Sequence, residues 1–226
     1  MEEQTNKFLI PGAIVVAGAF VALAIYSGGR LPSATDNSAA AVTANAKPVT
    51  SADHMRGNAS AKLTIIEYSD TECPFCKVFH DTMKQVTASY GGQVAWVYRH
   101  FPIAQLHSKA PKEAEATECV AELGGEQAFW SYLDSIFAIT NSNDSLDPSE
   151  LPRLAGAAGV DEKAFDSCLN SGKYTQKIQD SISEAVKAGA RGTPYTVIVA
   201  KDGTQTVING AEPYDMVKAK IDALLK

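Results

Sequence analysis

The amino-acid sequence predicts an α/β fold in which a helical subdomain is inserted between two strand-containing units. The first unit shows the order strand, helix, strand, and the last shows strand, strand, helix. Between them, residues 108–190 carry helical apolar periodicity throughout. Two strands joined by a single helix are expected to be parallel neighbours with a right-handed crossover. The predicted core order is therefore β-α-β, helical insertion, β-β-α.

The first unit begins at residues 63–69, which are nearly continuous in apolar side chains. Such a run is typical of a strand that is covered on both faces. Residues 93–101 form a second strand-like run, which Pro102 closes. The helix between the two strands ends at Gly91-Gly92, a glycine stop. Its apolar face is predicted at Phe75, Phe79, Met83, Val86 and Tyr90.

The helical insertion and the last unit follow from similar patterns. Cys119 and Cys168 lie on apolar faces of different helices within residues 108–190. Two apolar runs at 195–199 and 205–209 are separated by Lys201-Asp202-Gly203, which predicts a β-hairpin. A closing amphipathic helix is predicted to start at Glu212-Pro213.

The sequence Cys73-Pro74-Phe75-Cys76 stands between the first strand and the first helix. Proline is well tolerated at the first position of a helix, which places Cys73 at the helix N-terminus. Unpaired N–H groups and the helix dipole lower the pKa of a thiol there, and we expect solvent to reach it. Cys76, one turn further along and facing inward, can attack a bond that Cys73 makes. The motif predicts a thiol–disulfide redox centre that requires no metal and no cofactor.

The motif allows two other interpretations. Cys73, Cys76 and a nearby His80 supply three potential ligands for a metal-binding or copper-relay domain, although no second C-x-x-C exists to complete four. A purely structural disulfide would close a very small loop and remove little chain entropy. The remaining histidines, His100 and His107, are expected to pack or hydrogen-bond rather than to catalyse.

The first sixty of the 226 residues differ from the rest in composition. The run from Phe8 to Tyr26 has no charge and about the length needed to cross a bilayer as a helix. Residues 1–27 are therefore expected to form an uncleaved membrane anchor rather than a cleaved signal peptide. Residues 28–60, rich in Ala, Ser, Thr and Asn, are predicted to be a flexible linker, which leaves 61–226 for the folded domain. The net charge is −6 and no basic patch appears, which argues against nucleic acid as a partner.

The element order and several short motifs resemble the DsbA-like branch of the thioredoxin fold, from roughly residue 53 to the C-terminus. The motifs that carry the resemblance are Gly57-Asn58, Glu67-Tyr68-Ser69-Asp70, the C-x-x-C, Tyr98-Arg99-His100-Phe101-Pro102, His107 and Gly192-Thr193-Pro194. The resemblance implies a thioredoxin-like fold and a protein thiol:disulfide oxidoreductase. Proteins of this type are often tethered to a membrane, with the catalytic domain outside the cytoplasm, where disulfides persist.

The resemblance also implies roles for individual residues. Pro194 matches the family's cis-proline, which lies beside the two cysteines and leaves the Thr193 backbone free to pair with an extended substrate. Pro74 and Phe75 are expected to contact the substrate as well. Glu67 matches a buried acid that helps to move the proton of the second cysteine, whereas the pattern without the resemblance also allows an outward-facing strand glutamate.

One departure from the family concerns Phe75, because the best-known oxidant of the family has histidine in this place. Phenylalanine cannot donate a hydrogen bond to the Cys73 thiolate, so the protein is expected to be a milder oxidant. Expected partners are substrate proteins with cysteine thiols and, by resemblance, a membrane quinone-linked oxidase that restores the disulfide. Run backwards, the same chemistry makes a reductase or an isomerase, and the sequence leaves this direction open.

Cys119 and Cys168 are predicted to form a structural disulfide that joins two helices of the insertion. Both lie on apolar helix faces in a domain that is expected to reside where thiols oxidise. The alternative is two free buried cysteines that behave as small hydrophobic side chains.

Overall fold

A computed structural model describes residues 44–226, and the anchor expected at residues 8–26 lies outside them. Within this part of the chain, no helix combines the length and the apolar character that crossing a bilayer requires. The described residues form five strands and six helices: β1 His54–Arg56, β2 Leu63–Ser69, α1 Pro74–Ser89, β3 Val94–His100, α2 Ala110–Ile139, α3 Glu150–Ala157, α4 Glu162–Ser171, α5 Thr175–Ala188, β4 Tyr195–Ala200, β5 Gln205–Asn209 and α6 Tyr214–Leu224.

The strands form one sheet in the order β1-β3-β2-β4-β5. The central strand β2 runs parallel to β3 and antiparallel to β4, while β4 and β5 form the predicted antiparallel hairpin. Strand β2 has seven residues, and the last five, from Ile65 to Ser69, are all buried. Such a run is expected for a strand with elements packed on both faces. The chain leaves the carboxyl end of β2 and reaches α1 after a short turn, so the first residues of α1 lie at this edge of the sheet.

Helix α1 buries Cys76, Phe79, Met83 and Val86, at intervals of three and four residues. Phe75, which the sequence pattern places on this face, is instead 64% exposed. Cys76 and Phe75 precede Phe79 by three and four residues, and both spacings fit helical periodicity. The structure buries Cys76 and leaves Phe75 at the surface. This correction leaves an aromatic side chain on the surface beside the redox motif.

The helical insertion consists of α2 to α5. Residues of α2, α3 and α4 form an apolar core of their own, whereas Ala185 and Ala188 of α5 pack with residues of the sheet. Its long helix α2 changes direction at Gly125, whose φ of 76° interrupts the helical backbone. A disulfide between Cys119 and Cys168, with an S–S distance of 2.05 Å, joins α2 to α4.

Residues 44–60 pack against the domain, so the flexible linker predicted for 28–60 does not extend to residue 60. Strand β1 pairs antiparallel with β3 and forms one edge of the sheet. The Arg99 guanidinium donates hydrogen bonds to the carbonyl oxygens of Lys47 and Pro48 and pairs with Asp53 at 2.7 Å. The folded domain therefore begins before residue 61. A strand of three residues is too short to show the apolar alternation from which strands are predicted.

Candidate active site

Cys73 occupies the N-cap position of α1, with Pro74 as the first helical residue. Its backbone N–H donates to the carbonyl of Asp70 at 3.2 Å, and its own carbonyl accepts from the N–H of Lys77 at 3.1 Å. The Cys73 side chain is less accessible than the sequence led us to expect, since the residue is only 5% exposed. Its thiol lies 3.5 Å from the carbonyl oxygen of Thr193, which covers it from the side of β4.

The two cysteines are reduced and differ strongly in acidity. A hydrogen bond from the Cys76 thiol, together with the backbone N–H groups of Cys76 and Phe75, lowers the pKa of Cys73 to about 6, against the opposing effect of burial. These N–H groups have no partner within the helix because they belong to its first turn. Cys76 is fully buried, and burial together with the neighbouring Cys73 raises its pKa well above the ordinary range. One thiol is therefore a thiolate at neutral pH while the other keeps its proton.

Glu67 lies beneath the cysteines on β2 and is fully buried. Its Oε2 accepts a hydrogen bond from the indole N–H of Trp96 at 2.9 Å, whereas Oε1 has no partner among the described residues. Burial raises the pKa of this carboxyl from its ordinary value of 4.5 to about 7. The charge of Glu67 is among the causes that raise the pKa of Cys76. The structure thus places Glu67 inside, where its proton is exchangeable near neutral pH and its charge acts on the second cysteine.

Thr193 and Pro194 enter the site from the start of β4 and are joined by a cis peptide bond. The Pro194 carbonyl accepts a hydrogen bond from Gly210 at 3.0 Å, which ties this turn to the end of β5. Because β4 is antiparallel to β2, its first residues lie at the same edge of the sheet as the end of β2. The sheet therefore brings together the C-x-x-C, which follows β2, and the Thr193-Pro194 pair, which precedes β4, although about 120 residues separate them in sequence.

The outward face of the first turn of α1 is apolar. Phe75 and Val78 are 64% and 62% exposed. Substrate contact was expected for Pro74, Phe75, Thr193 and Pro194. These four residues belong to the first turn of α1 and to the segment before β4, which meet at the Cys73 thiol.

Asp70 organises the turn that carries Cys73, a function that sequence reasoning did not assign. Its backbone N–H donates to the Cys76 sulfur at 3.4 Å. Its side chain accepts from the backbone N–H of Glu72 at 2.9 Å, from the N–H of Ile103 at 2.7 Å and from His107 Nδ1 at 2.9 Å. Asp70 therefore joins the active-site turn to the loop after β3. The signal in the sequence is a run of polar residues, Ser69 to Glu72, between the largely apolar strand and the C-x-x-C.

Glu72 and Glu113 continue this polar layer into the insertion. The carboxylate of Glu72 accepts from the backbone N–H groups of Ser145 and Leu146, both at 3.1 Å. The hydroxyl of Thr71 donates to Glu113 at 2.6 Å. Burial, with the charge of Glu72 nearby, raises the pKa of Glu113 to about 8. The active-site turn is thus fixed to the insertion through buried carboxyl groups, one of which is protonated at neutral pH.

The structure does not bring His80 together with the cysteines. His80 Nε2 lies 2.7 Å from Asp134 Oδ1, and its ring packs against Trp96 and Phe137. Among residues 44–226, the one group with the spacing of metal ligands is formed by three other residues and contains no cysteine. The alternative of a metal site built from Cys73, Cys76 and His80 is therefore not supported by the geometry.

Comparisons with known proteins agree with this arrangement. A family model described as thioredoxin matches residues 49–223, which is most of the chain. The chain belongs to the thioredoxin family. It places its redox motif at the first turn of the helix that follows the central strand.

Comparison with solved structures shows to which thioredoxin-family proteins this chain is similar. DsbA2 of Pseudomonas aeruginosa is 30% identical, with a TM-score of 0.67 over 79% of this chain and 97% of DsbA2. A periplasmic thioredoxin-like protein from Salmonella enterica serovar Typhimurium shares the fold at 20% identity, with a TM-score of 0.60 over 79% of this chain and 99% of that one. The protein is a DsbA-like thiol–disulfide oxidoreductase with Cys73 and Cys76 as its cysteine pair.

Curated relatives match this thioredoxin-family domain over only part of their length. A Na(+)/H(+) antiporter NhaA 1 from Mycolicibacterium gilvum is 34% identical over 151 residues, which are 66% of this chain and 24% of that protein. The chain spans about a quarter of the length of the curated relatives that it matches.

Proposed function

We propose that this protein oxidises substrate proteins outside the cytoplasm by transferring the Cys73–Cys76 disulfide to pairs of cysteine thiols. The observation that carries the proposal is the difference in acidity between the two cysteines, with the pKa of Cys73 lowered to about 6 and that of Cys76 raised. Stabilising one thiolate stabilises the reduced form of the pair, and a pair that is stable when reduced is a good oxidant.

In the first step, a substrate thiolate attacks the sulfur of Cys73 in the oxidised protein. The bond between Cys73 and Cys76 breaks, and Cys76 leaves as a thiolate that takes up a proton because its pKa is high. We propose Glu67 as the source of this proton, since the carboxyl is buried beneath the cysteines and has a pKa of about 7.

In the second step, the other thiolate of the substrate attacks the substrate sulfur of the mixed disulfide. The substrate gains its disulfide and loses two electrons, and Cys73 leaves as a thiolate that the first turn of α1 stabilises. During both steps, we propose that the Thr193 backbone pairs with the extended substrate chain, and that Pro74, Phe75 and Pro194 contact it at the rim of the thiol.

Three features complete the proposal. The Cys119–Cys168 disulfide joins α2 to α4, and such bonds persist outside the cytoplasm. An anchor at residues 8–26 would hold the domain at the membrane surface on that side. There, a quinone-linked oxidase would accept the two electrons of the reduced pair and restore the disulfide.

The experiment separates the tasks of the two cysteines. Cys76→Ala leaves an acidic nucleophile and no resolving thiol, so long-lived mixed disulfides with a disulfide-bearing substrate should accumulate on non-reducing gels. Cys73→Ala leaves only a buried, protonated thiol and should trap almost none. Equal trapping by both variants, or trapping by Cys73→Ala only, would contradict the proposal.

A further inference from the structure

Away from the cysteines, three side chains of the kind that bind metals converge in the interior. His54 comes from β1, His100 ends β3, and Glu118 lies in α2. One nitrogen or oxygen atom from each lies within 4.8 Å of the others. All three residues are buried, with exposed fractions of 7%, 4% and 2%. The redox mechanism makes no use of them.

The distances within this cluster match those between ligand atoms of a single metal ion, although one of them, from His54 to Glu118, is at present a hydrogen bond. Glu118 Oε2 lies 3.2 Å from His54 Nε2, and Glu118 Oε1 lies 3.2 Å from His100 Nε2. Ligand atoms at about 2.0–2.1 Å from a tetrahedral zinc ion are roughly 3.3 Å apart. Glu118 Oε1 has no hydrogen-bond partner among the described residues, despite its distance to His100. Glu118 Oε1 and His100 Nε2 are therefore close to each other without the angles of a hydrogen bond.

A second carboxylate holds His54 in the orientation that a ligand needs. His54 Nδ1 lies 3.0 Å from Glu126 Oε2, which leaves Nε2 directed at Glu118. The ring of Phe129 stacks on the imidazole, with centroids 3.6 Å apart and planes 9° from parallel. Histidine ligands of zinc usually bind a carboxylate or carbonyl through their other nitrogen in this way.

The cluster opens on a cavity of about 280 Å³ that is lined by residues of β1, β3, α2 and α5, His54, His100 and Glu118 among them. The cavity gives solvent access to the fourth position that three protein ligands of a zinc ion leave open. Lys177 on the cavity wall shares Glu118 Oε2 with His54, and its Nζ lies 2.6 Å from that oxygen. Its side chain is 41% exposed, so that solvent is within reach of its ammonium group.

We propose that His54, His100 and Glu118 bind one zinc-like divalent transition-metal ion, and that the Lys177 ammonium leaves Glu118 when the ion enters. Two imidazoles with one carboxylate favour zinc over calcium or magnesium, which prefer oxygen ligands. The metal also takes His100 Nε2 away from the hydroxyl of Thr117, now at 3.3 Å. Bound there, the ion links the edge of the sheet to the helical insertion.

Calorimetric titration with zinc chloride tests the proposal in protein whose Cys73 and Cys76 are both replaced by serine, so that thiols do not bind the metal. One zinc per chain is expected. Glu118→Gln and His54→Gln should abolish binding, while Glu126→Gln should weaken it by about 10–100-fold. Lys177→Met should bind zinc more tightly, because no ammonium competes for Glu118. Lys187→Met, at an exposed position near the end of the same helix, is the matched control and should change nothing.

Circular dichroism and urea unfolding in the presence of a chelator show which variants are folded without metal. If the ligand variants do not fold, the opposite changes expected for Glu126→Gln and Lys177→Met decide the question. No zinc uptake by the serine protein, uptake that Glu118→Gln and His54→Gln leave unchanged, or an unaltered affinity in both Glu126→Gln and Lys177→Met would overturn the proposal.

Discussion

Replacing Glu67 with glutamine should stabilise the reduced protein at neutral pH and leave its stability unchanged in acid. In the folded state, burial raises the pKa of this carboxyl from 4.5 to about 7. In the unfolded chain the same group ionises near its ordinary value. Between these two pH values the unfolded chain has lost the proton and the folded protein has kept it, so unfolding releases a proton and the free energy of unfolding falls as pH rises.

The size of this effect follows from the two pKa values. Each pH unit between 4.5 and about 7 corresponds to 1.36 kcal/mol, so ionising Glu67 in the fold costs about 3 kcal/mol once the pH exceeds 7. Glutamine does not titrate, and its side-chain oxygen still accepts the hydrogen bond that Trp96 donates. The difference in unfolding free energy between Glu67→Gln and the native protein should therefore rise by about 3 kcal/mol from acid to neutral pH.

Urea unfolding of both proteins across this pH range, with reductant present, measures the difference directly. An exposed substitution, Glu162→Gln, reports the effect of removing a surface carboxylate and serves as the control. The difference in unfolding free energy for Glu67→Gln should increase between pH 4.5 and about 7 and stay level above that interval. A difference that is independent of pH, or one that falls as pH rises, would refute the assignment of a buried and protonated Glu67.

Two further outcomes are expected. Phe75→His should make the reduction potential of the cysteine pair less negative in a glutathione equilibrium, because an imidazole beside Cys73 stabilises its thiolate. A shift of about 30 mV corresponds to 1.4 kcal/mol of added stability of the reduced form. An unchanged or more negative potential would contradict the electrostatic reasoning. Replacing Cys119 and Cys168 together by alanine should lower the free energy of unfolding by about 4 kcal/mol, as the chain-entropy relation gives for a sequence separation of 49 residues. Urea unfolding of the oxidised proteins measures this difference. Equal stability of the two proteins would show that the disulfide constrains the unfolded chain little.

The features that the sequence predicts well are those set by short-range patterns. The strand before Cys73, the helix that begins at Pro74 and the hairpin around Asp202-Gly203 each follow from a pattern within one short segment of the chain. The position of Cys73 at a helix end follows from Pro74. These local signals were sufficient to place the redox motif at the edge of a sheet.

The features that the sequence did not predict depend on contacts between distant residues. Strand β1 exists because it pairs with β3, and its three residues carry no pattern of their own. Periodicity placed Phe75 on the apolar face of α1, whereas packing leaves it exposed and buries Cys76, as was expected for the second cysteine. The cluster of His54, His100 and Glu118 forms because three elements meet, and the spacing of these residues along the chain matches no metal-binding motif.

The roles of Asp70 and Glu72 were missed for a related reason. Polar residues in a turn are usually exposed, whereas both of these are buried and satisfy backbone N–H groups of other segments. Their partners lie in loops more than thirty residues away. Only the fold shows that this turn is fixed by carboxylates and not by apolar packing.

The most direct test of the central claim is the pH dependence of the rate at which the reduced protein is alkylated by iodoacetamide, with the modified cysteine identified by mass spectrometry. The account predicts that Cys73 reacts first and that its rate rises with a midpoint at about pH 6, because the Cys76 thiol and the first turn of α1 stabilise its thiolate. Cys76 should stay unmodified over the same range. A midpoint near 9, the ordinary pKa of a thiol, or modification of Cys76 before Cys73, would contradict it.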